Sequence, residues 1–308
     1  MGNVRVGVIG VGHLGQHHAR LLASLDGVEL VGICDTNRAR AGEIAAKFGG
    51  QIFADSRELL SRVDAVTVAV PTVAHVAVAL PFLDAGIATL VEKPIAPSVQ
   101  DADRLVSAAE RGGALLATGH TERFNPAVSK ALPLISEPRF IEIHRLGTFP
   151  ERSLDIDVIF DLMIHDLDLL LSVVKSEVIQ IEAVGVNVLT PKADIANARL
   201  RFASGCIANV TASRISRERV RKARFFQNDA YVSIDYAAQE LEVFRLMKGG
   251  ARPIIQGGKI AVDNEEPLRR ELEDFIDAVR TRRQPGVSGR DGRDALALAT
   301  RVAETMET

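Results

Sequence analysis

The sequence predicts an α/β protein with two domains: a doubly wound parallel sheet, then a domain with an open, mostly antiparallel sheet. Through residue 121, short β-branched runs alternate with helical segments of roughly 10–15 residues, a pattern typical of parallel strands joined by right-handed crossovers. From residue 122 to 288, strand-like runs follow one another with short connections, which favours antiparallel pairing. The predicted domains are therefore 1–121 and 122–288, with a C-terminal helix in 289–308 packing back on the first domain.

Each element is predicted from its hydrophobic period, near 2 for strands and near 3.6 for helices. In the first domain the predicted strands are 4–10, 28–35, 64–70, 88–93 and 113–119, and the predicted helices are 14–25, 37–49, 74–86 and 98–112. In the second domain the predicted helices are 126–136, 156–174 and 266–282, and the predicted strands are 139–147, 178–189, 195–203, 206–215, 222–236 and 240–246.

Composition excludes several classes of protein. The chain has 308 residues and a net charge of −3, which argues against a nucleic-acid footprint or a membrane-surface protein. No run approaches the roughly 18 apolar residues of a membrane span, and the N-terminus lacks a secretory signal. Two cysteines, Cys34 and Cys206, stand in apolar runs and are typical of buried thiols in a reducing compartment. We therefore expect a cytoplasmic protein with neither a nucleic-acid nor a membrane partner.

The segment "GVGHLG" follows the first strand and opens the first helix. Gly10 permits the tight turn, Gly12 lets a pyrophosphate approach the backbone, and Gly15 lets helix and strand pack closely. The free N–H groups at the helix N-terminus favour phosphate binding, so His13 and Leu14 also join the predicted contacts. The alternative is that the glycines serve only helix–strand packing.

The second strand ends in Asp35, about 20 residues beyond the glycine loop, where a carboxylate can accept both adenosine ribose hydroxyls. Together with the loop, Asp35 predicts a Rossmann dinucleotide site. Its charge would repel a 2′-phosphate, so NAD is favoured over NADP, although Arg38 lies close enough to weaken that preference. We predict no metal: His17 and His18 are adjacent and cannot share a helix face, and no Glu or Cys completes a set with Asp161 and His165.

The segment "DLMIHDLDLLL" places ionisable groups in a strongly apolar helix. Three of them, Asp161, His165 and Asp168, share a wedge about 80° wide on a regular α-helix with Asp157, which lies four residues before the segment. Asp166 falls on the opposite side. Because burying a charge is costly unless it is paired or used, the stripe indicates a helix that lines a site; the alternative is a buried His–Asp pair with no catalytic role.

Five segments that follow the glycine loop resemble, in their order along the chain, the glucose–fructose oxidoreductase / inositol dehydrogenase / MocA family, and the resemblance covers essentially the whole chain. They are "PTVAHVAVALPFLDAG", "VEKP", "GHTERFNP", "DLMIHDLD" and the closing "PLRRELEDFIDAVRTRRQPGVSGRDGRDALAL". The resemblance implies a Rossmann domain followed by an α/β domain whose open sheet carries substrate contacts and often oligomer contacts. A homodimer or homotetramer is therefore expected.

The resemblance also assigns roles. Lys93, Asp161 and His165 match the catalytic positions of the family, and Pro71, His75 and Glu92 join Lys93 as cofactor contacts. The residue types suit oxidation of a secondary alcohol, because a histidine near neutral pKa can take the hydroxyl proton and an ammonium stabilises an alkoxide. Whether Lys93 or His165 is the base stays open. Pro94 is expected to be a cis proline or a plain strand terminator.

Two features indicate the substrate class. Arg123 and Asn125 follow the first domain, where substrate contacts of the family begin. The segment "SRISRERVRKARFF" carries six basic residues and one acid, an excess that could hold a diphosphate, with Arg219 and Arg221 as the candidates. The alternative is a solvated loop or a subunit-interface strand.

Three segments resemble most the family branch that oxidises UDP-N-acetylglucosamine at C3, on the route to the diamino sugar of lipid A; they are "DLMIHDLDLLL", "GHTERFNP" and "FFQNDAYVSIDY". The expected activity is therefore NAD-dependent oxidation at C3 of a UDP-N-acetylhexosamine. Two alternatives stay open: an inositol- or glucose-type dehydrogenase acting on a free polyol, and a catalytically silent NAD-binding sensor or scaffold.

Overall fold

The computed structural model describes residues 2–149, 156–247 and 254–307. The chain divides into two compact units, each made of two chain segments. The first unit comprises 1–121 and 266–296, and the second comprises 122–265 and 297–308.

The first unit contains a six-stranded parallel sheet of order β3-β2-β1-β4-β5-β6. Its strands are β1 (Val4–Ile9), β2 (Val28–Cys34), β3 (Gln51–Phe53), β4 (Ala65–Val68), β5 (Ala88–Glu92) and β6 (Leu116–Gly119). The strand order reverses between β1 and β4, and in such sheets ligands bind beyond the carboxyl ends of the strands at that point. The prediction includes five of these strands and misses β3, which is only three residues long.

Among the described residues, five α-helices lie wholly in the first unit: α1 (Gly15–Leu22), α2 (Arg38–Phe48), α3 (His75–Asp84), α4 (Val99–Gly112) and α7 (Pro267–Thr281). Helix α1 contacts α2 and α7, while α3 contacts α4. Valines of β1, including the fully buried Val6 and Val8, and the buried leucines of α1 form the core beneath α2 and α7. The doubly wound parallel sheet is confirmed.

The predicted boundary of the second domain is wrong at its C-terminal end. The prediction places 266–288 in the second domain, whereas α7 belongs to the first unit. The cause is apolar burial: Leu272, Phe275 and Ile276 lie in the core of the first unit, each at most 2% exposed. The last helix, α8 (Gly289–Thr305), begins in the first unit and ends in the second.

The second unit contains a nine-stranded sheet of order β14-β13-β12-β11-β7-β10-β9-β8-β15. Its strands are β7 (Phe140–Leu146), β8 (Val178–Val186), β9 (Ile195–Phe202), β10 (Ile207–Ser213), β11 (Val220–Phe226), β12 (Ala230–Asp235), β13 (Glu240–Met247), β14 (Ile254–Ile260) and β15 (Met306–Glu307). Neighbouring strands are antiparallel except for the β7–β10 and β8–β15 pairs. The open, mostly antiparallel sheet is therefore confirmed.

Three predicted elements of the second unit differ in the structure. The predicted strand 222–236 is a hairpin of β11 and β12, because the chain turns at 227–229 and the Gln227 N–H donates to the Ala230 carbonyl. The predicted helix 126–136 ends earlier, as α5 (Pro126–Ala131) followed by a 3₁₀ turn, since Pro133 has no N–H to continue the α-helix.

The predicted helix 156–174 has two parts. Residues Ile159–Met163 form a π-helical turn, and α6 (Ile164–Val173) continues from it. A π-turn adds a residue to the helical repeat, so side chains before and after it no longer follow the regular α spacing. Such turns occur often at functional sites.

Candidate active site

The glycine loop at the end of β1 has the geometry that a dinucleotide requires. Gly10 has a φ of +84°, and a Cβ placed there would lie 2.7 Å from the Ala69 carbonyl oxygen. A Cβ at Gly15 would overlap the Gly10 carbonyl, so this residue sets the contact of helix and strand. A Cβ at Gly12 would meet nothing within 4 Å. Since Gly12 is not needed for packing, the open space beside it fits the predicted approach of a pyrophosphate.

His13 and Leu14 are exposed on the same loop, and Leu14 occupies the N-cap of α1 with no polar side chain to satisfy the first N–H groups. The N-terminus of α1 is therefore available to an anion. These observations fit the dinucleotide, and the contacts themselves stay predictions.

Asp35 lies at the carboxyl end of β2 and folds against the loop. Its Oδ2 accepts a hydrogen bond from the Val11 N–H at 2.8 Å, and its Oδ1 accepts one from the Asn37 N–H at 2.8 Å. The carboxylate is partly exposed and is thereby held at the point where a ribose would be recognised.

The arginine that contacts this loop is Arg40. Its Nε donates to the Val11 carbonyl at 3.1 Å and its Nη2 to Gln16 Oε1 at 2.8 Å, whereas Arg38 is exposed. Arg38 and Arg40 are both basic and two positions apart, which places them on opposite sides of α2. No signal in the sequence says which side faces the loop.

The "VEKP" segment places Glu92 and Lys93 at the carboxyl end of β5, and the Lys93–Pro94 peptide bond is cis. Lys93 is half-buried, and Glu92 is 6% exposed. Glu92 Oε1 lies 2.9 Å from Nε2 of the fully buried His18, and its Oε2 accepts from the Lys93 N–H at 3.2 Å. Burial opposes ionisation of Glu92, but the hydrogen bond from His18 and the charge of Lys93 hold its pKa below the ordinary value. No sequence signal indicates this contact of His18, since its partner lies 74 positions away along the chain.

His75 lies at the start of α3 and is 1% exposed. Its Nε2 lies 2.9 Å from the Val70 carbonyl oxygen and its Nδ1 lies 3.0 Å from the Pro94 carbonyl oxygen. Burial lowers the pKa of His75. The ring therefore links the chain after β4 to Pro94, the residue that follows Lys93. Pro71 is exposed at the start of the 3₁₀ turn Thr72–Ala74. The predicted cofactor contacts of Pro71, His75, Glu92 and Lys93 stay predictions.

In the second unit the π-turn divides the predicted polar stripe. Asp161 lies in the π-turn and His165 in the first turn of α6, and both are half-buried. Asp157 precedes the helix and accepts a hydrogen bond from the Ile159 N–H at 3.0 Å. Asp168 is 2% exposed and lies 3.5 Å from Arg123. The four residues therefore do not lie on one regular α-helix, because Asp157 precedes the helix and the π-turn that contains Asp161 changes the spacing to His165 and Asp168.

Asp166, the neighbour of His165, anchors α6 to the sheet. Arg145 of β7 donates to both oxygens of Asp166, each at 2.8 Å, and to Glu122 at 2.9 Å. Burial disfavours the guanidinium charge, but the two carboxylates hold the pKa of Arg145 well above its ordinary value. Burial raises the pKa of Asp166, and the guanidinium opposes that shift. The Tyr236 ring lies 5.4 Å from the guanidinium carbon.

Arg123 and Asn125 lie in the second unit with contacts of their own. Arg123 is paired with Asp168. Asn125 is 3% exposed; its side chain accepts from the Ala127 N–H at 3.0 Å and donates to the Tyr236 carbonyl at 3.0 Å. The amide of Asn125 thus caps α5 and joins it to the residue that follows β12. The predicted substrate role of Arg123 and Asn125 stays a prediction.

Alternate side chains of β11 point to opposite faces of the sheet, so the basic residues of this segment are divided between the two faces. Arg221 is exposed and lies on the same face of the sheet as its register partner Arg145. Arg219 precedes β11, with its Nη2 3.4 Å from Thr148 Oγ1. The other face carries the ion pairs Lys222–Asp235 and Arg224–Glu142. Arg214 is 2% exposed and bonded to Asp194 at 2.9 Å, so it is a structural residue.

The remaining predictions concern metals, thiols and membranes. The described residues contain no cluster of three or more His, Cys, Asp or Glu side chains that could hold a metal ion. Cys34 and Cys206 are buried free thiols, and burial raises the pKa of each to about 11. In the described part of the chain, no helix is long and apolar enough to cross a bilayer.

A six-stranded parallel sheet with this glycine loop at the end of β1 defines a dinucleotide-binding protein of the Rossmann class. Two family models specify it further. "Oxidoreductase family, NAD-binding Rossmann fold" matches residues 4–120, and "GFO/IDH/MocA C-terminal domain" matches residues 134–232. The chain belongs to the Gfo/Idh/MocA family of oxidoreductases, as the resemblance implies.

Individual relatives match along the whole chain. A UDP-N-acetylglucosamine 3-dehydrogenase of Acidithiobacillus ferrooxidans is 39% identical over 308 residues, covering 99% of this chain and 98% of the relative. A solved structure of that enzyme superimposes with a TM-score of 0.93, covering 99% of this chain and 98% of the other. A myo-inositol 2-dehydrogenase of Thermotoga maritima is 26% identical, covering 99% and 96%. A levoglucosan dehydrogenase in complex with NADH and levoglucosan, 19% identical with a TM-score of 0.89 over 98% and 97%, shares the fold.

Proposed function

We propose that this chain is an NAD-dependent dehydrogenase that oxidises the C3 hydroxyl of UDP-N-acetylglucosamine. The observation that carries the proposal is the full-length match to a UDP-N-acetylglucosamine 3-dehydrogenase, at 39% identity and a TM-score of 0.93. The retention of Lys93, Asp161 and His165 supports an active enzyme, because a silent sensor or scaffold would need none of them.

The glycine loop and Asp35 would hold the dinucleotide. The open space beside Gly12 and the N-terminus of α1 suit the pyrophosphate, and Asp35 suits the adenosine ribose hydroxyls. Its negative charge favours NAD over NADP, since a 2′-phosphate would lie against a carboxylate already held by the Val11 N–H. When bound, NAD⁺ supplies the acceptor for the hydride that leaves C3.

The remaining chemistry is a proton transfer by the chain's own residues. As C3 loses its hydride, its hydroxyl proton passes to a base and the C–O bond becomes a carbonyl. Lys93 and His165 are the two candidates for this base. Whichever of them is cationic stabilises the developing alkoxide, and Asp161, on the turn before His165, orients the imidazole or binds a sugar hydroxyl.

The diphosphate of the nucleotide sugar is assigned to Arg219 and Arg221. Arg221 is exposed on the face of the sheet that carries Arg145, and Arg219 lies beside Thr148 at the end of β7. Bidentate guanidinium contacts match phosphate oxygens well. The basic residues on the other face, Lys222 and Arg224, are already in ion pairs.

A second candidate is a dehydrogenase acting on a free polyol, favoured by the full-length match to a myo-inositol 2-dehydrogenase at 26% identity. The two candidates share the mechanism at the reacting carbon and differ in whether a nucleotide is required.

The test is formation of NADH by the purified chain with UDP-N-acetylglucosamine, myo-inositol or glucose, with an aminotransferase that consumes 3-keto sugars present to draw the reaction forward. Signal with the UDP sugar alone is the expected result. Signal with a free polyol alone would overturn the assigned substrate and keep the enzyme class. If no sugar reduces NAD while NADH still binds, the silent sensor becomes the better description.

We also propose a homodimer or homotetramer. An aromatic row crosses the second sheet with ring centroids 5.6, 5.1 and 6.3 Å apart, formed by Phe140, Phe226, Tyr231 and Phe244. These rings are partly or well exposed, and such a patch is typical of an interaction surface. Size-exclusion chromatography with light scattering should give a multiple of the chain mass, and a Phe244→Lys variant should shift it toward the monomer. A monomeric wild type would contradict this proposal.

A further inference from the structure

His18 and Glu92 form a hydrogen-bonded pair closed off from solvent in the first unit. His18 is fully buried on α1 and Glu92 is 6% exposed at the end of β5, with His18 Nε2 2.9 Å from Glu92 Oε1. The carboxylate acceptor places the N–H on Nε2. Nδ1 of His18 is buried with no hydrogen-bond partner among the described residues. Burying an imidazole nitrogen without a hydrogen-bond partner costs folding free energy. This cost indicates that His18 is buried here for the hydrogen bond that its other nitrogen makes with Glu92.

The second oxygen of Glu92 points along its own chain. Oε2 accepts a hydrogen bond from the backbone N–H of Lys93 at 3.2 Å. Glu92 therefore holds the first residue beyond β5 through one oxygen and is itself held by α1 through the other. The backbone from which the Lys93 side chain departs is thus linked to the helix that follows the glycine loop.

The neighbouring strand leaves space for this arrangement. Gly119 of β6 is the register partner of Glu92. A Cβ at Gly119 would lie 2.8 Å from Glu92 Oε2 and 3.1 Å from Oε1. Since both oxygens are engaged and the carboxylate is buried, it could not move without losing at least one of its two bonds. Three elements, α1, β5 and β6, therefore converge on one carboxylate.

We infer that His18 and Glu92 are a positioning pair for Lys93: His18 orients the Glu92 carboxylate, which in turn fixes the backbone of Lys93. This inference rests on the catalytic role proposed above for Lys93. Neither residue is assigned a contact with the reacting atoms. Their effect is to hold Lys93 in the narrow range of orientations that a catalytic group requires.

The decisive variants change the pair in different ways. His18→Leu removes the donor, and Gly119→Ala displaces the carboxylate without changing either member of the pair. His18→Gln places an amide N–H at about the position of His18 Nε2, from which it can donate to Glu92. The matched control is Thr67→Val on β4, a buried residue of the same sheet whose Oγ1 has no hydrogen-bond partner among the described residues.

Two readouts are needed on the full-length chain. The first is steady-state kinetics with NAD and UDP-N-acetylglucosamine. We expect His18→Leu and Gly119→Ala to lower kcat by about 10-fold or more with KM for NAD changed less than ~3-fold, and His18→Gln to recover most of kcat. Thr67→Val should match the wild type. The second is hydrogen exchange of the peptide containing the Lys93 amide, which should become faster in His18→Leu and Gly119→Ala.

Either readout can overturn the inference. Wild-type kcat in folded His18→Leu and Gly119→Ala, or a matched loss of kcat and NAD affinity in every variant, would contradict a positioning role. If His18→Leu does not fold, the kinetics and hydrogen exchange of Gly119→Ala and His18→Gln still test the inference. If the wild type turns over no sugar, faster exchange at Lys93 keeps the positioning pair while the proposed function fails, and unchanged exchange removes the pair as well.

Discussion

Replacing Arg145 by methionine isolates the energetic role of the buried cluster beneath α6. Arg145 is 4% exposed and makes three charge-assisted hydrogen bonds, two to the fully buried Asp166 and one to Glu122. Methionine keeps much of the aliphatic volume but leaves Asp166 with no cation. Removing one partner of a buried ion pair costs about 3–5 kcal/mol, because the other charge is left uncompensated.

Protonation of Asp166 limits that cost and gives it a pH dependence. An aspartate in an unfolded chain has a pKa of about 3.9, so holding it neutral costs about 4 kcal/mol at pH 7 and about 1.5 kcal/mol at pH 5. Burial already raises the pKa of Asp166 in the wild type, so this carboxyl makes the folded state less stable as pH rises between its unfolded and folded pKa. Loss of Arg145 raises the pKa of Asp166 in the folded state further. The loss of unfolding free energy in the variant should therefore grow as the pH rises.

The assay is urea unfolding followed by far-UV circular dichroism at pH 5 and pH 7. Arg145→Met should lower the free energy of unfolding by about 3–5 kcal/mol at pH 7 and by less than half of that at pH 5. The matched control is Arg224→Met on the adjacent strand β11, whose ion pair with Glu142 has both side chains 32% exposed. That variant should cost no more than about 1 kcal/mol at either pH.

The double variant Arg145→Met/Asp166→Leu should recover most of the loss, since neither charge is then left buried alone. An Arg145→Met cost equal to that of Arg224→Met would refute the reasoning. A loss of unfolding free energy that is the same at pH 5 and pH 7 would also refute it, because it would show that an unpaired Asp166 carboxylate does not cause the loss.

Three further predictions concern the proposed site. Lys93→Ala and His165→Ala should each lower kcat at least ~100-fold while NADH binding, followed by fluorescence, persists; near wild-type turnover in either variant would remove that residue from the chemistry. Asp35→Ala should weaken NAD binding and narrow the difference between NAD and NADP, and an unchanged Kd for NAD would exclude the ribose contact. Arg219→Ala combined with Arg221→Ala should raise KM for the UDP sugar about 10-fold or more with little change in KM for NAD. A change in oligomeric state alone would instead assign these arginines to a subunit interface.

The parallel sheet of the first unit could be predicted because its evidence is local. Alternating strand and helix periods, and the glycine loop between β1 and α1, are visible in windows shorter than 20 residues or so. The position of α7 could not be predicted in this way. Its apolar face, which includes Leu272 and Phe275, indicates only that the helix is packed against another element. The structure shows that this element belongs to the first unit.

The candidate site shows the same division. Glu92, Lys93, Asp161 and His165 could be singled out from motifs and residue types. The π-turn could not, since its sequence has an ordinary helical pattern and yet the structure removes Asp157 from the helix. This is why a stripe predicted from regular α spacing is only partly present.

By itself, the sequence determined the fold class, the glycine loop and the acidic end of β2, because each depends on neighbours within a few helical turns. The candidate catalytic residues were singled out by the resemblance to the family. Only the tertiary structure decided which buried polar groups meet. The contacts of His18 with Glu92 and of Arg145 with Asp166 join residues 74 and 21 positions apart. Such pairs form where packing of apolar faces brings two buried polar side chains together, and hydrophobic periodicity says which face is buried but never what lies against it.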